Sequence, residues 1–328
     1  MNTLRTLEAT QQVALLFVGL FGVLTLISAA AALASLRERN GEPSLADHAR
    51  RSRFKRELSA LWVGALVFWL AWAWGPLGST LLFGVLSFLA LREFITLTHT
   101  RRGDHRSLLL AFFVVLPLQY VLAGSRAFDL FTVFIPAYVF IALPVVSALA
   151  GDPGRFLERN AKIQWGIMVC VYGLSHAAAL LLLDLRGAQG RGAFLVFFLV
   201  MVVAVAQLAQ QVASRWLRAR PVVRAISRSF SYRAWMVALA AGALTGGLLY
   251  WITPFASRQA IALGLVAALS GTLGELVMRA LKRDAGVTSS GAAEAVTGAV
   301  GLLDRIAPLA FAAPVFFHTV RWYLVATP

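Results

Sequence analysis

Charge, and acid above all, is what this sequence has least of. Only 14% of its 328 residues are charged and 15 are Asp or Glu, where a soluble globular chain carries about 25% charged residues. With 59% hydrophobic residues and a mean hydropathy of +0.75, a single soluble domain is excluded. Cysteine is all but absent. Cys170, alone within an apolar run, has no intramolecular disulfide partner and cannot build a thiolate metal cage, so it reads as a small buried hydrophobe. Lysine is scarce as well, since 27 of the 30 basic residues are Arg. Polar-apolar alternation is missing, which disfavours a closed β-barrel.

What the sequence does have is a series of continuous apolar runs, near the roughly 20 residues that cross a hydrocarbon core of about 30 Å. Ten are expected, near 11–36, 58–75, 79–97, 107–123, 127–149, 162–183, 193–213, 232–254, 259–281 and 309–326. Backbone polar groups in lipid must be satisfied within their own segment, so these runs are read as helices. The fold class is therefore all-α: a polytopic integral membrane protein of about ten transmembrane helices with short loops. It is read as a single transmembrane domain over 1–328, with an extra N-terminal helix and basic loop at 1–57. Small residues from Ala29 to Ala34 offer a cleavage site, but the first apolar stretch, at about 25 residues, exceeds the roughly 7–15 of a signal core.

The net charge of +15 lies between the apolar runs rather than on one soluble face. It reads as topology and lipid contact, and no nucleic-acid partner is expected. Alternating the connections gathers 24 basic residues on one side against 6 on the other. The bias of Lys and Arg toward cytoplasmic loops makes the richer side cytoplasmic, with both termini outside. The implied location is the inner (plasma) membrane, with any soluble-substrate chemistry on the cytoplasmic side. No inverted repeat is evident, which weakens a transporter reading.

Polar residues at membrane depth are costly and so are candidates for function. Glu275 falls about 9 Å inside the cytoplasmic end of its helix. Either it lines a cavity or it pairs with Arg279, one turn on. His318 and Arg321 share a face of the last helix and His176 sits mid-segment. The three read as scattered cations rather than a metal site, with each His in an interhelical hydrogen bond. Gln207, Gln210 and Gln211 give one helix a polar face, as packing glue or cavity lining. Gly242 and Gly246 have the spacing of a close helix contact. Arg215, Arg218, Arg220, Arg224 and Arg228 form a basic loop that suits anionic headgroups or a triphosphate.

The most informative stretch follows Glu275: Lys282-Arg283-Asp284-Ala285-Gly286-Val287-Thr288-Ser289-Ser290-Gly291, then Gly301-Leu302-Leu303-Asp304-Arg305-Ile306. It resembles the C-terminal signature of the phosphatidate cytidylyltransferases (CDP-diacylglycerol synthases). The likeness spans about 214–318, with Ser227 to Tyr232 in the place of the family's Ser-Pro-x-Lys segment and Glu93-Phe94 resembling an earlier Glu-aromatic pair. The family's Lys-Asp stands here as Thr288-Ser289, and its Gly-His-Gly-Gly as Gly298-Ala299-Val300-Gly301.

The resemblance implies transfer of CMP from CTP to phosphatidate or another anionic lipid, giving a CDP-diacylglycerol-type lipid and pyrophosphate. It implies Glu275 and Asp304 as catalytic carboxylates and Mg²⁺ ligands, and Lys282, Arg283, Arg305, Ser290, Gly291 and Ser227 as substrate-binding residues. The expected partners are CTP, the lipid and the membrane, and a homodimer is compatible with the pattern. The departures keep open an alternative, a non-catalytic paralogue that binds anionic lipid or partners an active enzyme.

Overall fold

The computed structural model describes residues 73–98, 100–183, 192–217, 220–227, 230–286 and 301–326, together with single positions between 11 and 29 and at 69. Two compact units divide the chain, residues 1–78 and 79–328. In the first, the described positions of 11–29 are helical, and the Phe17 ring lies 4.3 Å from Phe21 and 5.5 Å from Trp69. An aromatic contact thus joins the first two apolar segments. The basic stretch 37–57 and most of the first two expected spans lie outside the described residues.

Eight helices follow: α1 (Gly75–Thr96), α2 (Arg102–Gly124), α3 (Phe128–Ala148), α4 (Phe156–Leu181), α5 (Gly192–Trp216), α6 (Tyr232–Leu248), α7 (Ser257–Asp284) and α8 (Leu302–Ala326). No strand occurs among the described residues. Six of these helices, all but α6 and α8, are long and apolar enough to cross a membrane. α6 has 17 residues, and α8 carries Pro308 and Pro314. The structure thus gives an all-helical chain with six candidate spans among the described residues, where the sequence alone leads one to expect about ten.

Each helix ends for a local reason. Gly286 at φ +77° stops α7 in a left-handed turn, with its N–H bonded to the Arg283 carbonyl, and Gly301 at φ +70° sets up the entry to α8. The Ser231 hydroxyl accepts from the Ala234 N–H and so caps the start of α6. α2, α3 and α4 each contain a wide π-helical turn, at Ala111–Val115, Phe134–Val139 and Ile167–Gly173. Pro136 lies within the second and Pro117 just after the first, where the missing N–H removes a ladder bond.

Packing runs in sequence through α5, α6, α7 and α8, with α8 also against α4, the most deeply buried of the candidate spans. In lipid, helices associate through close packing and hydrogen bonds rather than hydrophobic drive. A side chain at Gly173 would strike the Ala310 carbonyl of α8 at 2.4 Å, and one at Gly246 the Ala260 carbonyl of α7 at 2.4 Å. The close contact expected from Gly242 and Gly246 is therefore the α6–α7 interface. Outward, Phe113, Val121, Ile141 and Leu244 stay exposed, an apolar surface suited to hydrocarbon.

Ion pairs and hydrogen bonds sort the ends. The C-terminal part of α1 meets the start of α8 through Glu93, and the starts of α2 and α4 meet through Asp104 and Arg159. The end of α7 joins the start of α8 at Lys282 and Asp304. The start of α3 meets the end of α8 through Asp129 and Arg321, and the start of α7 meets it through Gln259 and Tyr323. Within residues 79–328, connections 97–101, 149–155, 217–231 and 285–301 therefore share one end of the bundle. Those are the Arg-rich connections of the sequence.

Candidate functional site

α7 carries Glu275, Arg279 and Lys282 at i, i+4 and i+7, which places them on one face over about 10 Å of helix. Both oxygens of Glu275 are engaged. Oε2 accepts from Gln207 Nε2 of α5 at 3.1 Å, and Oε1 is ion-paired with the Arg279 guanidinium. Arg279 also donates to the hydroxyl of buried Ser227 at 2.7 Å, tying α7 to the α5–α6 connection. Thr272, one turn before Glu275, accepts from the Trp235 indole of α6 at 3.0 Å. Gly274 gives α8 room to close in, because a Cβ there would meet the Phe311 side chain at 2.3 Å.

One turn beyond Arg279, Lys282 reaches Asp304 at 2.5 Å, with side chains 13% and 33% exposed. Glu93 completes the junction from α1. Its buried carboxylate accepts the Leu302 N–H at 3.0 Å and the Leu303 N–H at 3.3 Å, so an acid from 209 residues away neutralises the positive end of α8. Arg283 and Arg305 are exposed at the same end.

The structure thus brings together Glu275 with Ser227, through Arg279, and Lys282 with Asp304. Ser290 and Gly291 lie outside the described residues. Of the two readings of Glu275, the Arg279 pair is the one observed. Of the glutamines, Gln207 bonds to Glu275, Gln210 is buried and Gln211 is exposed. Two participants escaped the sequence reading as site residues: Arg279, which holds three elements together, and Glu93, which pins α8. An acid inside the apolar run of α1 was the available signal for Glu93.

Among the described residues no group of three or more His, Cys, Asp or Glu comes together for a metal ion. As they stand, the side chains do not fit a Mg²⁺ shared by Glu275 and Asp304. Both Glu275 oxygens already have donors, and each carboxylate faces a different cation of α7.

A second polar cluster occupies the other half of the bundle. His176 and His318, expected to be scattered, are neighbours with ring centroids 5.2 Å apart, because α4 and α8 pack tightly through Gly173. The His318 Nε2 lies 3.4 Å from the Tyr172 hydroxyl, the interhelical contact anticipated for it. His176, fully buried, instead bonds through Nδ1 to the Tyr172 carbonyl of its own helix at 2.7 Å. Arg321 pairs with Asp129 of α3.

The profile of the cytidylyltransferase family matches residues 54–323. An uncharacterized protein of Escherichia coli strain K12, YnbB, is 38% identical over 268 residues, covering 80% of this chain and 85% of that protein.

Proposed function

We propose, from the premise that this chain belongs to the cytidylyltransferase family, that it transfers the cytidylyl group of CTP to phosphatidate or a related acidic phospholipid. Family membership and the candidate membrane spans carry a CTP-using membrane transferase, and the lipid acceptor is the further step. An oxygen of the lipid phosphate attacks the α-phosphorus of CTP, the α–β anhydride bond breaks and pyrophosphate leaves. Lys282 and Arg279, with exposed Arg283 and Arg305, meet the phosphate charge. Asp304 and Glu275 hold those cations in place, as preorganised charge does in phosphoryl-type transfer.

The observation that carries the reading is the Lys282–Asp304 pair, which fixes a cation and an acid at the α7–α8 junction at the end of the bundle where the Arg-rich connections gather. An apolar outer surface brings a bilayer lipid to that end without its leaving the membrane. We place the site at the cytoplasmic face of an inner membrane, because those connections hold most of the basic residues.

The test is release of pyrophosphate from CTP and phosphatidate by purified protein in detergent. Turnover that Lys282→Ala weakens mainly through KM supports the reading, since that residue neutralises phosphate. A second reading, anionic-lipid binding without turnover, is favoured by one observation: both site carboxylates are already charge-satisfied by α7. It requires no pyrophosphate from the wild type, with salt-sensitive phosphatidate binding that falls in Arg220→Ala/Arg224→Ala.

A further inference from the structure

We infer that Arg279 takes the place of a divalent cation at Glu275, so that this carboxylate serves as the counter-ion of a fixed guanidinium rather than as a metal ligand. The inference concerns the site described above but does not depend on turnover. It rests on four observations. Glu275 offers two oxygens and both are taken, one by Arg279 and one by the Gln207 amide. Arg279 is not a swinging side chain, because a second guanidinium nitrogen is anchored on Ser227 Oγ in a different element. The pair is mostly shielded, with side chains 17% and 33% exposed. The same arrangement recurs one turn on, where Lys282 neutralises Asp304.

Chemistry favours the guanidinium under these conditions. Mg²⁺ requires near-octahedral oxygen ligands and gives up water reluctantly. To reach Glu275 it would have to displace two donors and sit beside a permanent positive charge that cannot be titrated away. A planar fork satisfies the carboxylate and the hydroxyl at once, and it presents fixed positive charge to a phosphate without a bridging ion. The cationic face of α7 therefore does at Glu275 what a metal would do.

The test uses full-length protein purified in detergent, with Mn²⁺ alone as the probe and its binding read by electron paramagnetic resonance without nucleotide. Wild type is expected to hold no more Mn²⁺ than Glu275→Gln. Arg279→Ala should gain one Mn²⁺ per chain, bound at least about tenfold more tightly than in wild type once the opposing charge is gone. Adding Glu275→Gln to that variant should abolish the gain. Arg279→Gln keeps the reach toward Ser227 without the charge and should show the same gain, which covers the case where the alanine variant does not fold. Wild-type Mn²⁺ binding that Glu275→Gln removes would overturn the inference, as would a folded Arg279 variant that gains no site. Pyrophosphate release is measured in parallel. Its absence in wild type removes the transferase reading and leaves the Mn²⁺ outcome intact.

Discussion

Two ion-pair networks sit at the same end of the bundle, and they differ in how much water reaches them. The first joins α2 to α4: Arg159 bonds to Asp104 at 3.1 Å and pairs with Asp152, while the Arg101 N–H donates to Asp104. Arg159 is 5% exposed and Asp104 1%. The second joins α7 to α8 and to the α5–α6 connection, and its Arg279 and Asp304 side chains are each 33% exposed. A pair sealed from water must stay whole, because removing one partner strands the other charge in a low dielectric. A pair that water reaches can trade partners at small cost, which a phosphate-binding site requires. Identical chemistry therefore serves as a clasp in one place and as a candidate site in the other.

The sharpest way to break that comparison is Arg159→Ala, which should cost about 3–5 kcal/mol by leaving Asp104 buried and unpaired. It would be seen as loss of folded protein or a large drop in unfolding temperature in detergent. Stability close to wild type would mean that the first network is no clasp. Asp304→Asn, in the second network, should change stability by less than about 1 kcal/mol after solvent screening. If the chain is a transferase, the same variant should lower pyrophosphate release at least about 100-fold.

Glu93→Gln lies between the two classes. The amide still accepts from Leu302 and Leu303 but loses the charge facing the α8 N-terminus, so unfolding should become easier by about 1 kcal/mol. No change in the melting curve would show that the cap contributes nothing to holding α8.

The smallest effect is one of pH. The Gly154 N–H and then Arg159 hold the Asp152 carboxyl below its ordinary value. A group lowered in the folded state contributes stability above its unfolded pKa, near about 4, and loses that contribution as pH falls through the lower folded value. Asp152→Asn should therefore narrow the difference in unfolding temperature between neutral and acid solution. An unchanged difference would detach Asp152 from the clasp.

Some of this was legible along the chain. Glu275 and Lys282-Arg283, with Asp304-Arg305 beyond, are charges set beside apolar runs, where burial cost alone marks them. The pairing of Asp304 with Lys282 was not legible, because it needs the α7–α8 turn, which only packing fixes. Glu93 and Leu302 are 209 residues apart, and nothing local links them. His176 and His318 read as unrelated until Gly173 let α4 and α8 approach. Helix count was the least legible feature. Hydropathy marks apolar runs, whereas α6 with 17 residues and α8 with two prolines meet a span criterion poorly despite lying in such runs.

By itself the sequence determined that this chain is helical and belongs in a bilayer, because 59% hydrophobic residues in continuous runs leave intrasegment hydrogen bonding as the way to satisfy the backbone in lipid. It also determined where the charges lie along the chain, and so which connections share a side. Only the tertiary structure decided which charge faces which. Contact between α5, α7, α8 and the Ser227 connection turned an i, i+4 pair into a network with both Glu275 oxygens occupied. Ion pairing falls off steeply with distance and solvent access, and both are properties of packed helices rather than of sequence spacing.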